Sequence, residues 1–284
     1  MKYIAARKNL ALTIFVPWNC TNNCPFCTSK HEYKNDKKFS LKNIIESLKK
    51  LSQFDKIHDI VLSGGEPLAD LDGFEELLYN IYELNIHSKK PKCIFVNTTL
   101  PKSIDENKFD EIINKYNIID GFNVSRHIDE NFSDFINDEL LYNIKLNKSY
   151  IRINSVITND WLNPTDEDKT NVKNFINHWL KYSNDISFRW DYRKVKNMDD
   201  LKSLNNPFVQ FLGSFLNYEG STGCLVCNDD YFENRRIHFH RGTSQTSIKF
   251  QDNLLINDII IKQDGSTYLD WNSNKIDLNN FKLE

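Results

Sequence analysis

Six short runs rich in β-branched and aromatic residues recur a few tens of residues apart, and they constrain this chain more than any other feature. They are "ALTIFV" (11–16), "IHDIVL" (57–62), "CIFV" (93–96), "IIDGFNVS" (118–125), "YIRINSVI" (150–157) and "ISFRW" (186–190). Helical patterns lie between several of them. Leu41, Ile44, Ile45, Leu48 and Leu51 share one helix face behind Ser40; Phe74, Leu77, Leu78, Ile81 and Leu84 share another. Val172, Phe175, Ile176, Trp179 and Leu180 form a third stripe, opened by Thr165 with Asp168 three residues on, the pattern of a capping box. Strands alternating with helices predict an α/β fold, a parallel sheet or barrel. From about residue 205 the rhythm breaks. Strand-like runs "IHFHRGTSQTSIKF", "LLINDIIIK" and "STYLDW" follow, the last two separated by the turn signal Asp264-Gly265. The expected division is a main domain over 1–200 and a smaller β-containing extension over 201–284.

Charge narrows the partners. The 36 basic and 39 acidic residues give 36 − 39 = −3, with no run of about five or more of either sign, so nothing predicts a nucleic-acid or membrane surface. No stretch is long and apolar enough for a membrane span, and the N-terminus lacks a cleavage site, which predicts a cytoplasmic protein. The six cysteines fall as a triplet, a single and a pair, a pattern of metal or redox use in a reducing compartment. Cys93, inside "CIFV", reads as a small buried hydrophobe.

The triplet is "CTNNCPFC", Cys20, Cys24 and Cys27, spaced C-x3-C-x2-C directly after the first strand. Three thiolates on one loop favour zinc or an iron–sulfur cluster; a zinc site would take His31 as its fourth ligand. After the second strand stands "SGGEP", Ser63 to Pro67, where paired glycines admit a ligand to the backbone and a carboxylate can receive an ammonium group.

With both motifs in this order, the sequence resembles the radical S-adenosylmethionine (radical SAM) superfamily over roughly residues 10 to 195. Cys20, Cys24, Phe26 and Cys27 match its C-x3-C-x-aromatic-C hallmark; Gly64, Gly65, Glu66 and Pro67 match its Gly-Gly-Glu-Pro element. The resemblance implies a partial (β/α)6 TIM-type barrel with its site at the C-terminal strand ends. It implies a [4Fe-4S] cluster on Cys20, Cys24 and Cys27, one iron left for SAM, oxygen sensitivity, and a reductant such as flavodoxin or ferredoxin. It places Glu66 on the methionyl ammonium, Asn97, Thr98 and Thr99 on the methionyl or ribose part, Ser125 on the ribose and Arg152 on the SAM carboxylate. Arg126, His127, Arg189, Asp191 and Arg193 fall near expected strand ends, where they can face a polar or anionic substrate or simply cover the surface.

The pair Cys224 and Cys227, in "GCLVCN", resembles the start of an auxiliary-cluster (twitch or SPASM-like) element, but no cysteine follows it. Its roles stay open: lining the substrate site as a structural remnant, giving a hydrogen atom or electron to a product radical, or holding a second cluster or zinc with His238 and His240. "HFHRGTSQTS" can cradle a phosphate or carboxylate, or form a solvated hairpin face. The expected function is hydrogen abstraction by a 5′-deoxyadenosyl radical from a polar, nucleotide-like small molecule. The alternatives are epimerisation or cross-linking of a ribosomally made peptide, methyl or aminocarboxypropyl transfer, and a non-catalytic zinc-binding module.

Overall fold

The computed structural model describes residues 2–5, 10–18, 20, 22, 24–27, 39–85, 92–128, 137–146, 149–158, 161, 163–191, 207–223, 228–240, 247–250, 253–256, 258–269 and 275–283. The chain divides into two compact units. One comprises Met1–Phe122, Phe135–Leu140 and Gln245–Glu284; the other comprises Asn123–Asp134 and Leu141–Ser244.

In the first unit β2 (Leu10–Val16), β3 (Ile57–Gly64) and β4 (Cys93–Thr98) run parallel in that order. Leu10, Leu12, Ile14 and Val16 are all fully buried and Phe15 nearly so, the near-continuous apolar strand expected where both sheet faces are covered. Helices α1 (Leu41–Leu51), α2 (Leu71–Glu83) and α3 (Glu106–Tyr116) follow these strands. The expected stripes are the faces they bury, Ile44, Leu48 and Leu51 on α1 and Phe74, Leu77, Leu78 and Ile81 on α2. Ser40, Asp70 and Asp105 each cap a helix by accepting a backbone N–H of its first turn.

Two returns of the chain complete this unit. β13 (Asp258–Ile261) joins β2 in parallel and turns into β14 (Thr267–Tyr268) antiparallel, so the Asp264-Gly265 hairpin forms as expected. Gly265 is required there: it sits at φ +82°, and a Cβ would lie 2.3 Å from Asn43 of α1. Asn43 and Ser47 donate side-chain hydrogen bonds to the carbonyls of Asp264 and Gly265, at 3.2 and 2.7 Å. A separate sheet pairs β1 (Lys2–Ala5) in parallel with β12 (Asn253–Ile256), and β12 antiparallel with β11 (Ser247–Phe250). β5 (Gly121–Ser125) lies at the division of the two units.

The second unit holds β6 (Tyr150–Ile157), β7 (Asp185–Trp190) and β10 (Ile237–His240), all parallel, with β9 (Asn228–Phe232) and β8 (Tyr218–Gly223) added antiparallel beyond β10. "IHFHRGTSQTSIKF" therefore is not one strand pair. Its two ends, β10 and β11, belong to different sheets, because β10 finds a parallel partner in β7 and β11 an antiparallel one in β12. Helix α4 (Asp138–Leu146) precedes β6, α5 (Asp166–Trp179) precedes β7, and α6 spans 207–213. The Thr165–Asp168 capping box of α5 forms in both directions. Successive strand residues alternate faces. Ile186, Phe188, Trp190, Ile237 and Phe239 fill one face, where Trp161, Phe175, Trp190, Phe208 and Phe239 pack edge-on or tilted against their neighbours at 4.7 to 5.9 Å. The other face is polar.

Candidate active site

The turn after β3 carries the first polar centre. Gly64 ends the strand at φ +135° beside Val16 of β2, and a Cβ on it would lie 2.1 Å from the Val16 carbonyl oxygen. Only glycine fits. The Gly65 N–H donates to Val16 O and the Glu66 N–H to Trp18 O, both at 3.1 Å. "SGGEP" is thereby joined to the segment that enters the cysteine loop. Pro67 starts a short 3-10 turn (Pro67–Ala69), a place where its missing N–H costs nothing, and Glu66 caps that turn.

Glu66 is 2% exposed and fully engaged. Oε1 accepts from the Leu68 N–H at 3.1 Å and the Thr98 hydroxyl at 2.5 Å; Oε2 accepts from the Thr99 N–H and hydroxyl, each at 2.7 Å. Burial pushes the carboxyl up from its ordinary value, opposed by the Thr98, Thr99 and Leu68 donors. Asn97 donates to the Ser63 hydroxyl at 3.2 Å, linking the ends of β3 and β4.

The cysteine loop has its own local logic. Cys24, Pro25, Phe26 and Cys27 form a β-turn in which the Cys27 N–H reaches Cys24 O at 3.2 Å, with proline at the position where its fixed φ is favoured. Phe26 is tucked in at 8% exposure, and Cys20, Cys24 and Cys27 are partly exposed thiols outside any disulfide. Cys24 and Cys27 at the two ends of this turn and Cys20 before it are three thiols on one loop, a donor set of the kind that holds a cluster with one position left for another ligand. Among the described residues the one group of three convergent metal-ligating atoms is elsewhere, His58, Asp59 and Cys93 at the start of β3 and β4.

The second unit holds the remaining residues singled out in the sequence. Ser125 is half-buried, and its carbonyl accepts from Arg126 at 2.8 Å. Arg152 spreads its fork over Asp185, Nε to Oδ1 at 2.9 Å and NH2 to Oδ2 at 3.1 Å, and the Tyr150 hydroxyl donates to the same carboxylate. Burial alone would push the Asp185 carboxyl up; the His238 ring and the Arg152 guanidinium beside it outweigh that and hold it at about 2. Arg126, for which the sequence left substrate contact and surface cover both open, is 2% exposed with its guanidinium 5.2 Å from the Trp179 ring centre of α5. His127 Nδ1 accepts from the Val156 N–H at 3.0 Å; burial, then Arg126 and Arg189, push its pKa down to about 3 and keep the ring neutral. Asp191 is fully buried, its N–H donating to Ile157 O at 3.3 Å. Asp185 and Asp229 were missed by residue-type reasoning; the alternation D-x-S-x-R on β7 and H-x-H on β10 was the available signal. His31, Arg193, Cys224, Cys227 and 241–246 lie outside the described residues.

An α/β fold of parallel strands, with a buried carboxylate whose turn is hydrogen-bonded to the segment leading into a three-cysteine loop, has the parts of a metal-cluster barrel protein. A family model described as the Radical SAM superfamily matches residues 17–162, half of the chain, and the protein belongs to that superfamily. Solved structures share its fold. One is described as Streptococcus suis SuiB bound to precursor peptide SuiA, at TM-score 0.59 and 16% identity, covering 95% of this chain and 62% of that one. Another, anSMEcpe with bound AdoMet, has TM-score 0.55 and 17% identity, covering 92% of this chain and 73% of that one. The chain thus spans under two thirds of the length of SuiB. These likenesses agree with the expected partial TIM-type barrel. No curated protein sequence matches the chain.

Proposed function

We propose that this protein is a radical SAM enzyme that abstracts hydrogen from a polar small-molecule substrate. The observation that carries the reading is the direct backbone link between the Glu66 turn and the Trp18 carbonyl, which leads into the Cys20–Cys27 loop. Cys20, Cys24 and Cys27 would hold a [4Fe-4S] cluster, and SAM bound beside it supplies, on one-electron reduction by a flavodoxin or ferredoxin, a 5′-deoxyadenosyl radical. Glu66, held by Thr98, Thr99 and Leu68, is proposed to receive the methionyl ammonium, with Gly64 and Gly65 beside it in the turn. Phe26, Pro67, Asn97, Ser125 and Arg152 complete the proposed cofactor contacts. Residues 201–284 are proposed to close the site, with Cys224 and Cys227 beside the substrate, in a cytoplasmic enzyme.

A specific observation favours a peptide substrate as the second reading. Of the structures sharing this fold, one is described with a precursor peptide and another, anSMEcpe with AdoMet and a Cp18Cys peptide, at TM-score 0.51 and 16% identity, covers 92% of this chain.

Anaerobic reconstitution tests the proposal. About four iron atoms per chain and dithionite-dependent 5′-deoxyadenosine are expected, both lost in Cys24→Ala. Bound zinc with no 5′-deoxyadenosine would overturn it, and other SAM fragments in its place would mark a group-transfer enzyme. Iron content unchanged in Cys224→Ala/Cys227→Ala is expected for a single cluster; a fall from about eight to four would show a second.

A further inference from the structure

The polar face of the second unit's sheet is ordered by register. Arg152 pairs with Asp185; Asn154 pairs with Ser187, Ser187 with His238, and His238 with Tyr231; Val156 pairs with Arg189, Arg189 with His240, and His240 with Asp229. Paired residues project to the same side, so these side chains form rows across β6, β7, β10 and β9. The Arg189–His240–Asp229 row lies toward the C-terminal ends of the parallel strands, the end where barrels of this kind do chemistry.

Two charges on this face cancel locally, Arg152 against Asp185. Asp229 Oδ1 lies 2.7 Å from His240 Nδ1, and this contact fixes the tautomer of a neutral ring: Nδ1–H donates to the carboxylate, leaving Nε2 as an acceptor. Arg189 is exposed, and Asp229 is the carboxylate that acts on its guanidinium. His238 supplies an independent observation. It is 8% exposed, stacked 5.9 Å from the Tyr231 ring at 22°, and neither ring nitrogen has a hydrogen-bond partner; Nε2 is 3.9 Å from Asp185 Oδ1, too far for one. Asn154 Oδ1, in the same row, is also buried without a partner. Buried polar atoms left unmatched in a folded protein call for a ligand.

The charge count selects that ligand. Arg189 on β7 contributes one positive charge and Asp229 on β9 one negative charge, with His240 of β10 between them, so the row is neutral with its charges separated. A phosphate dianion would meet one cation and a repelling carboxylate. A carboxylate with an N–H donor beside it meets Arg189 with the first and Asp229 or His240 Nε2 with the second. We propose that this face is a subsite for the carboxylate and neighbouring N–H of an amino acid, free or at a peptide C-terminus, seated on Arg189, His240 and Asp229 with His238 donating from the adjoining row. It rests on the radical SAM reading for its role in catalysis and names the substrate class that reading leaves open.

The test is ring-nitrogen NMR of histidine-labelled, anaerobically reconstituted enzyme with SAM, titrated with glycine, N-acetylglycine, glycinamide and inorganic phosphate. His238→Gln and His240→Gln each assign one signal among those of the seven histidines. Saturable shifts of His238 and His240 are expected with N-acetylglycine or glycine and not with glycinamide or phosphate. Glycine alone indicates a free amino acid; N-acetylglycine as well or better indicates a peptide terminus. Arg189→Gln should weaken binding about 10- to 100-fold, the effect of losing a charge-assisted contact, with Arg189→Lys between. Equal binding by Arg189→Gln, equal binding of glycinamide, or phosphate binding as well as the carboxylates would overturn the subsite. 5′-Deoxyadenosine formed without substrate, measured on the same samples, separates the two readings. Its absence with the shift pattern intact overturns the reaction and leaves the subsite; its presence without shifts does the reverse.

Discussion

The carboxylate of Glu66 and the polar face around Arg189 are both networks of polar groups, the first buried and the second partly exposed, and they are built on opposite terms. Glu66 receives four hydrogen bonds from neutral donors, two to each oxygen. The face carried by β6, β7, β10 and β9 closes Arg152 on Asp185 and His240 on Asp229, but leaves both ring nitrogens of His238 without a hydrogen bond and the side chain of Arg189 exposed. A completed network fixes one geometry and suits a cofactor that is always the same. An incomplete one keeps interaction capacity for a ligand that comes and goes.

The largest effect should come from the glycine on which the first network depends. Gly64→Val forces a side chain against the Val16 backbone at a positive φ, and the strain and overpacking together should cost about 3 to 6 kcal/mol in urea denaturation. A loss below about 1 kcal/mol would mean that the turn relaxes freely and that Glu66 is not held as described.

Next comes the Arg152–Asp185 pair, since Asp185 is nearly buried. Arg152→Met leaves that carboxylate unpaired and should cost about 3 kcal/mol near neutral pH. The pH dependence carries the sign. Asp185 sits at about 2 in the folded protein and about 3.9 unfolded, so its pairing stabilises the fold above about pH 4 and is lost as pH falls toward 2. In Arg152→Met burial dominates and lifts the carboxyl, so this contribution to acid sensitivity should shrink or reverse in denaturation midpoints between about pH 3 and 7. An unchanged profile would show that Arg152 is not what holds Asp185 ionised.

Thr99→Val probes the first network more gently. It removes one of two donors to Glu66 Oε2 and should cost about 1 to 2 kcal/mol and raise the Glu66 pKa further, read by carboxyl-region NMR. Unaltered titration would break the view of Glu66 as a satisfied acceptor.

The two networks also differ in how far the sequence discloses them. "CTNNCPFC" and "SGGEP" are contiguous, so Pro25 in the Cys24–Cys27 turn and Gly64 at the end of β3 can be recognised before any fold is known. The helix stripes and the caps at Ser40 and Thr165 are local for the same reason, and they form as read. The polar face is assembled from strands far apart in sequence. That Asp229 meets His240 follows from β10 pairing antiparallel with β9, and that Asp185 meets Arg152 from β6 pairing in parallel with β7, and residue types alone do not specify these registers. Arg126 shows the converse: its place near a strand end was legible, but its direction onto Trp179 depended on α5 packing behind it.

The smallest effect is the sharpest probe of the open network. Asp229 and His240 are each about a quarter exposed, so Asp229→Asn should change stability by under about 1 kcal/mol. Its effect on titration should be larger in kind. Burial depresses the His240 pKa, Arg189 and His238 add to that, and Asp229 opposes them. A histidine depressed on folding loses stability for the protein as pH falls below its unfolded value of about 6.5, because the unfolded chain takes up the proton first. Replacing Asp229 by Asn removes the one opposing charge, so His240 should titrate lower still and the stability lost between about pH 6.5 and 5 should grow. If His240 instead titrates unchanged in the variant, its tautomer is not set by Asp229, Nε2 is not a committed acceptor, and the face loses the separation of charge that distinguishes it from the closed carboxylate of the first unit.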